Sequence, residues 1–305
     1  MSASSGSRAI MAALGANLGI ALTKFIAALL TGSSSMVAEA IHSVADSGNQ
    51  VLLLIGGRRS RREATHKHPF GYGRERYVYA FIVSVVLFTV GGLFAIYEGI
   101  HKLMHPEPIH SWQWVPLVVL LVSVVLEGFS FRTAVVETNP LRHGLSWSQF
   151  IRRARAPELP VVLLEDTAAL LGLILALLGV GLTLATNNGV FDGLATLGIG
   201  ALLVVVAMVL AVEMKSLLIG ESATPEQVEA IEAALVAGAD VERVIHLRTL
   251  HLGPDELLVA AKIAVAHDET AAAVARAVDA AEARIREVLP IAAVIYLEPD
   301  IYRSR

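Results

Sequence analysis

A chain of 305 residues that is 55% hydrophobic and only 17% charged, with a mean hydropathy of +0.62, carries too much apolar surface for one water-soluble core. Its net charge of -4 is small and its basic residues gather in two short segments, which argues against nucleic acid as a partner. The absence of cysteine excludes disulfides, thiolate metal sites and cysteine nucleophiles.

Crossing about 30 Å of hydrocarbon takes a helix of about 20 residues, and apolar stretches near 8–31, 35–57, 77–103, 113–136, 160–185 and 191–218 predict six spans. The second is the least apolar, since it contains Glu39, His42, Asp46, Asn49 and Gln50, and a hydropathy scan is prone to miss it. The first is not read as a signal peptide: only Arg8 precedes it, no small-residue cleavage pattern follows, and more spans do.

Loops rich in Lys and Arg stay on the cytoplasmic side. The connection after span two holds Arg58, Arg59, Arg61, Arg62, Lys67, Arg74 and Arg76, and the one after span four holds Arg142, Arg152, Arg153 and Arg155. The other connections, Thr31–Ser34, His105–Ser111 and Thr186–Val190, have no Lys or Arg. Six spans with both termini cytoplasmic satisfy this alternation. The basic runs are read as topology markers.

After Gly220 the composition becomes mixed, opening with Thr224-Pro225-Glu226, an N-cap followed by proline and an acid in the first turn. Helical periodicity at Pro225–Ala237 precedes strand patterns at Val241–His251 and Glu256–Ala266, an Ala-rich helix at Glu269–Val288 and a strand at Ala292–Glu298. The expected fold is thus a six-helix membrane domain, residues 1–219, followed by a small α+β domain of order αββαβ, residues 220–305.

Ionisable groups inside lipid are costly unless they meet a partner or a wet cavity, so they point to the chemistry. In span two, Glu39, His42, Asp46 and Asn49 are spaced by three, four and three residues and share one helix face. An imidazole and a carboxylate one turn apart suit a metal ion, but zinc takes about four ligands, so another helix must contribute. Span five offers Glu165 and Asp166. Adjacent residues diverge by about 100° around a helix of about 3.6 residues per turn, so one acid is free to ligate while the other relays protons, receives a hydrogen bond or marks a local distortion. Glu127 of span four lacks a partner at helical spacing; it is a candidate for a proton pathway or a structural pair. Asn17 and Lys24 of span one either line the same cavity or reach a neighbouring helix.

Three segments together resemble the cation diffusion facilitator family, in particular its zinc transporter 9-like branch: AEAIHSVADSGNQ at 38–50, HPFGYGRERY at 68–77 and LLEDTAA at 163–169. The similarity runs over nearly the whole chain. It implies a homodimeric exporter that passes a divalent metal ion outward in exchange for protons, through a tetrahedral site between spans two and five. His42 and Asp46 match the family's span-two ligands, and Asp166 matches the second acid of span five. The position four residues earlier, usually His or Asp, is Val162 here, so Glu165 is taken as the substitute ligand. His68 matches one member of the family's loop site while the later histidine is Tyr72; His66 is the candidate to compensate. The terminal domain resembles the family's metallochaperone-like module, with Lys262 and Tyr296 about where metal-binding histidines would stand. Dimerisation is its expected role, and His246 and His251 are read as solvated strand histidines.

The expected metal set is therefore His42, Asp46, Glu165 and Asp166, with Glu39, His68 and Glu127 as secondary metal or proton positions. Neutral imidazole and ionised carboxylates bind the metal and protons compete for the same electron pairs, while helices rocking on glycine surfaces expose the site to alternate sides. One nitrogen among oxygens favours zinc over calcium or magnesium and leaves manganese, iron, cobalt and nickel open. The competing readings are a metal-binding sensor or scaffold without transport, and a transporter of another solute. No nucleophile-base arrangement, phosphate loop or HExxH points to an enzyme, and no prosthetic group is expected. With no Arg- and Ser-rich leader, a bacterial cell membrane is the expected location.

Overall fold

The computed structural model describes residues 5–31, 34–106, 114–142 and 144–303, except the side chains of 5–7, 28, 30–31 and 34–42. Six long helices, α1 (Ser5–Thr31), α2 (Ser34–Arg59), α3 (Glu75–Met104), α4 (Trp114–Thr138), α6 (Glu158–Thr186) and α7 (Val190–Ile219), occupy the expected stretches, with ends within three residues of those read from sequence. Among the described residues, five of them are long and apolar enough to cross a membrane, and α2 is the exception. Its 26 residues reach about 39 Å at about 1.5 Å each, long enough to cross, and only residues 43–59 of it have described side chains.

The molecule divides into two compact units. The first comprises residues 1–58 and 76–215, the second residues 59–75 and 216–305. The connection between α2 and α3 therefore belongs with the C-terminal residues.

In the first unit α1 runs along α4 and α6, and α4 also packs on α6. The inward stripe of α4 is Val115, Val119, Ser123, Glu127, Ser130, Ala134 and Thr138, all buried and spaced by three or four residues as one helix face requires. Helix α3 contains a π-helical stretch, Leu87–Leu93, that hydropathy does not signal. Thr89 supports it by donating its hydroxyl to the carbonyls of Val85 (2.8 Å) and Val86 (3.3 Å), drawing acceptors from the regular ladder. Helix α6 stops at Asn187, whose left-handed backbone (φ 52°) an asparagine tolerates.

Residues 139–157 form a short 3-10 turn, Asn139–Arg142, and a helix α5, Trp147–Arg153. Ser146 and Gln149 make a reciprocal capping box at the start of α5. Beyond it, Arg76 and Glu158 form a buried two-pronged ion pair that ties the first turn of α3 to that of α6, with Nη2 to Oε2 at 2.8 Å.

The second unit contains α8 (Pro225–Val236), β1 (Arg243–Gly253), β2 (Glu256–Ala264), α9 (Ala271–Val288) and β3 (Val294–Asp300), the expected αββαβ order. The strands lie in the order β1-β2-β3, the first pair antiparallel and the second parallel, so α9 is the crossover. Alternate β2 residues Leu257, Val259, Ala261 and Ile263 are buried with Ile231 and Leu235 of α8 and Ala281 and Ile285 of α9, the period of two expected of a strand with one covered face. Thr224 caps α8, again with a reciprocal glutamine, Gln227. Arg284 caps its other end by donating to the carbonyls of Ala234 and Leu235.

The segment 59–75 packs on the β1–β2 turn. A Cβ on Gly73 would lie 2.9 Å from the Leu252 carbonyl oxygen, and one on Gly253 would lie 2.8 Å from Gly73 Cα, so both backbones need glycine to approach this closely. At this end His251 is buried, with its backbone N–H donating to the Glu221 carbonyl and Nδ1 3.3 Å from the Gly253 carbonyl oxygen. The expectation of a solvated His251 is thereby corrected: a bulge between His251 and Gly253 turns the ring inward. His246 is exposed, as expected.

Candidate metal translocation site

Three carboxyl side chains are buried in the first unit, Glu127 of α4 and Glu165 and Asp166 of α6. Asp46 of α2 is half-buried. The neighbours on α6 part company as helix geometry demands. Glu165 turns to α2, accepting from Asn49 Nδ2 at 2.9 Å and Gln50 Nε2 at 2.7 Å. Asp166 turns to α4, where Ser130 Oγ donates to Oδ2 at 2.7 Å and Glu127 lies within hydrogen-bonding reach.

The place so defined lies among three helices, α2, α4 and α6, where sequence reasoning named two. Glu127 does have neighbours: Asp166 across the helix pair and Ser130 three residues along its own face. Ser130, Asn49 and Gln50 are the parts that sequence reasoning left without a role. The i, i+3 spacing of Glu127 and Ser130 inside an apolar helix was the available signal.

Glu39 and His42 belong to α2, but their side chains lie outside the described residues. Among the described residues no three His, Asp or Glu side chains form a metal-holding group. Placing several acids in low dielectric is unfavourable unless positive charge, from a metal ion or from protons, accompanies them. Uncharged donors supply part of the compensation here: two amides for Glu165 and one hydroxyl for Asp166. Asn17 and Lys24 of α1 are also buried.

The loop positions belong to the second unit. His66 and His68 are exposed, and the His68 ring sits against Tyr72 at 4.8 Å between centroids, with the Arg62 guanidinium 5.0 Å from the other ring's centre. In the terminal domain Lys262 bridges Glu298 Oε1 (2.9 Å) and Asp300 Oδ2 (3.0 Å) across β2 and β3, so an ammonium group meets the two acids there. Hydrogen bonds to Glu298 and Asp300 raise the pKa of Lys262, and the same lysine lowers that of Asp300. Tyr296 is exposed.

Polar helix faces and buried acids within a set of apolar spans define an integral, multi-pass membrane protein. The chain matches the family model of the cation efflux transmembrane domain over residues 10–219, and it belongs to that family, the cation diffusion facilitators. It is 38% identical over 232 residues to the human "Proton-coupled zinc antiporter SLC30A9, mitochondrial", covering 75% of this chain and 41% of the relative. To "Metal tolerance protein C4" of Arabidopsis thaliana it is 30% identical over 258 residues, 84% of this chain and 56% of the relative. "Magnetosome protein MamM" of Paramagnetospirillum magneticum is 29% identical over 129 residues, 41% of this chain and 40% of the relative. The chain thus spans about two fifths of the length of the human relative it matches.

Proposed function

We propose that the protein is a divalent metal transporter, a zinc/proton antiporter that exports metal from the cytoplasm by alternating access through six spans, with α2 as the second. The observation that carries this reading is the burial of three acids, Glu127 of α4 and Glu165 and Asp166 of α6, on two helices packed together, with Asn49 and Gln50 of α2 bonded to Glu165. Family membership supports it, as does the printed name of the human relative.

His42 and Asp46 of α2, with one acid of the α6 pair, Glu165 or Asp166, form the cargo site. Glu39 and Glu127 are its secondary positions, and His68 is the corresponding position in the loop. Metal binds when these groups are deprotonated, and protons arriving from the opposite side displace it, because ligation and protonation use the same electron pairs. The imidazole sets the preference for zinc; the oxygen-rich remainder leaves manganese, iron, cobalt and nickel as lesser cargoes. The protein works as a homodimer joined through its C-terminal unit, with both termini cytoplasmic, as the alternation of basic loops requires. The word "mitochondrial" in the human relative's name is said of that protein.

The test is zinc uptake into sealed vesicles containing the purified full-length protein under an imposed proton gradient. Wild type takes up zinc only with the gradient. Loss of an outer-shell partner commonly costs about ten- to a hundredfold, so Asp46→Ala and Asp166→Asn, as ligand losses, lower uptake by at least that factor. Zinc binding without flux under any gradient would replace this reading with a sensor.

A further inference from the structure

The acidic pair of α6 poses the problem of which carboxylate meets the ion, and the hydrogen bonds around it contain an answer that rests on the transport reading. Asn49 and Gln50 are neighbours on α2 and leave the helix about 100° apart. Their amide nitrogens nevertheless reach the two oxygens of a single carboxylate, at 2.9 and 2.7 Å, one amide per oxygen. The extra methylene of glutamine makes up for its different starting direction. All three side chains are buried, Asn49 to 1% and Gln50 to 0% exposure.

The other ends of these amides tell why they point this way. Asn49 Oδ1 and Gln50 Oε1 are buried and have no hydrogen-bond partner among the described residues. Glu165 is therefore the only described hydrogen-bond partner that orients either amide side chain. Holding Glu165 also fixes the rotation of α6 about its axis. Asp166, about 100° further round, is then turned to Ser130 and Glu127 of α4.

We propose that Asn49 and Gln50 form a carboxamide clamp on Glu165, and that this clamp is a positioning device: it sets the rotation of α6 so that Asp166, and not Glu165, is presented to the ion. Glu165 is the anchor of α6 on α2. Glu165→Gln keeps the shape of the anchor, because a third amide can both accept from one neighbour and donate to the unsatisfied oxygen of the other. Glu165→Ala removes it, and Asn49→Ala with Gln50→Ala removes the grip from the opposite side.

The experiment uses full-length protein in detergent with cobalt(II) as the spectroscopic probe, and the same variants in vesicles for cobalt and zinc uptake. In Glu165→Gln the visible cobalt band keeps the wild-type position and intensity while the transport KM rises by about threefold. Glu165→Ala and Asn49→Ala/Gln50→Ala each raise KM by about tenfold or more, and the triple variant is no worse than either, since all three break one device. Asp166→Asn shifts the cobalt band. The proposal is overturned if Glu165→Gln shifts the band as Asp166→Asn does, which makes Glu165 a ligand. It is equally overturned if the double alanine variant keeps the wild-type KM. Wild-type vesicles that bind cobalt and move neither metal would defeat the transport reading alone, because the spectra in detergent still decide the clamp.

Discussion

Introducing a methyl group between α3 and α7 should destabilise the first unit, and the amount follows from the spacing. The two helices meet along Gly92, Ile96, Gly99 and Leu103 on one side and Val204, Gly200, Leu197 and Gly193 on the other. Both rows step by four, three and four residues in opposite directions, so each glycine faces a large residue in an antiparallel seam of heptad spacing. A Cβ on Gly99 would stand 2.7 Å from the backbone nitrogen of Leu197, and one on Gly200 would stand 2.7 Å from that of Ile96. Ordinary contact needs about 3.5–4.0 Å, and backbone cannot rotate away as a side-chain tip can, so the helices must part by about 1 Å. Overpacking of this kind costs about 1–3 kcal/mol. Gly181→Ala is the contrast: among the described residues no atom from outside its own stretch of helix lies within 4 Å of its added Cβ, so the better helix propensity of alanine should stabilise by about 0.5–1 kcal/mol. Equilibrium unfolding in mixed micelles measures both signs. A loss below about 0.5 kcal/mol in both Gly99→Ala and Gly200→Ala, where the cited overpacking range begins at about 1, would refute the seam.

The buried Arg76–Glu158 pair is expected to lose about 3–5 kcal/mol when either partner alone becomes alanine, because a charge then stays buried without its counterion, whereas Arg76→Met with Glu158→Leu should be close to neutral; thermal unfolding of the three variants decides. Thr224→Ala removes the side-chain cap of α8 and should destabilise the second unit by about 1 kcal/mol, seen as faster hydrogen exchange in α8. The Lys262–Asp300 bridge gives a pH dependence whose sign is fixed. Asp300, lowered from 3.8, contributes above that value and loses its contribution as pH falls through its folded pKa. Lys262, raised from 10.5, contributes below that value and loses its contribution as pH rises through its folded pKa. The protection factors of the β2–β3 rungs, taken against the intrinsic exchange rate at each pH, should therefore be flat through neutrality and fall at both extremes, and Asp300→Asn should remove its share of the acid limb.

How much of this was legible in the sequence depended on what kind of signal each feature leaves. The six long helices and the αββαβ order follow from apolar runs, period-two strands and capping residues, all local. His251 was misread because a strand pattern does not show a bulge, and the inward turn of its ring depends on one. The π-helical stretch of α3 was not foreseen because Thr89, Gly91 and Gly92 are compatible with a regular helix until a neighbour packs on them. The glycine seam stood in the sequence as glycines of uncertain purpose. Their spacing gains meaning only when both rows are placed opposite each other.

The site shows the same limit in a sharper form. Each helix contributes polar residues that look incomplete alone: α2 has amides with no visible use, α4 a glutamate and a serine, and α6 two acids that cannot point the same way. Hydropathy sets α2 apart from the other five helices for the same reason that it matters. Burying Asn49 and Gln50 would cost several kcal/mol for unmatched amides, a cost an apolar span never meets, and the carboxylate of Glu165 is what offsets it. In turn, those donors supply part of what lets Glu165 be buried beside Asp166. The polar content that lowers the apparent fitness of α2 as a span is thus the counterpart of the acidic content of α6. Neither helix is well explained without the other, and Asp166 takes its direction from their agreement.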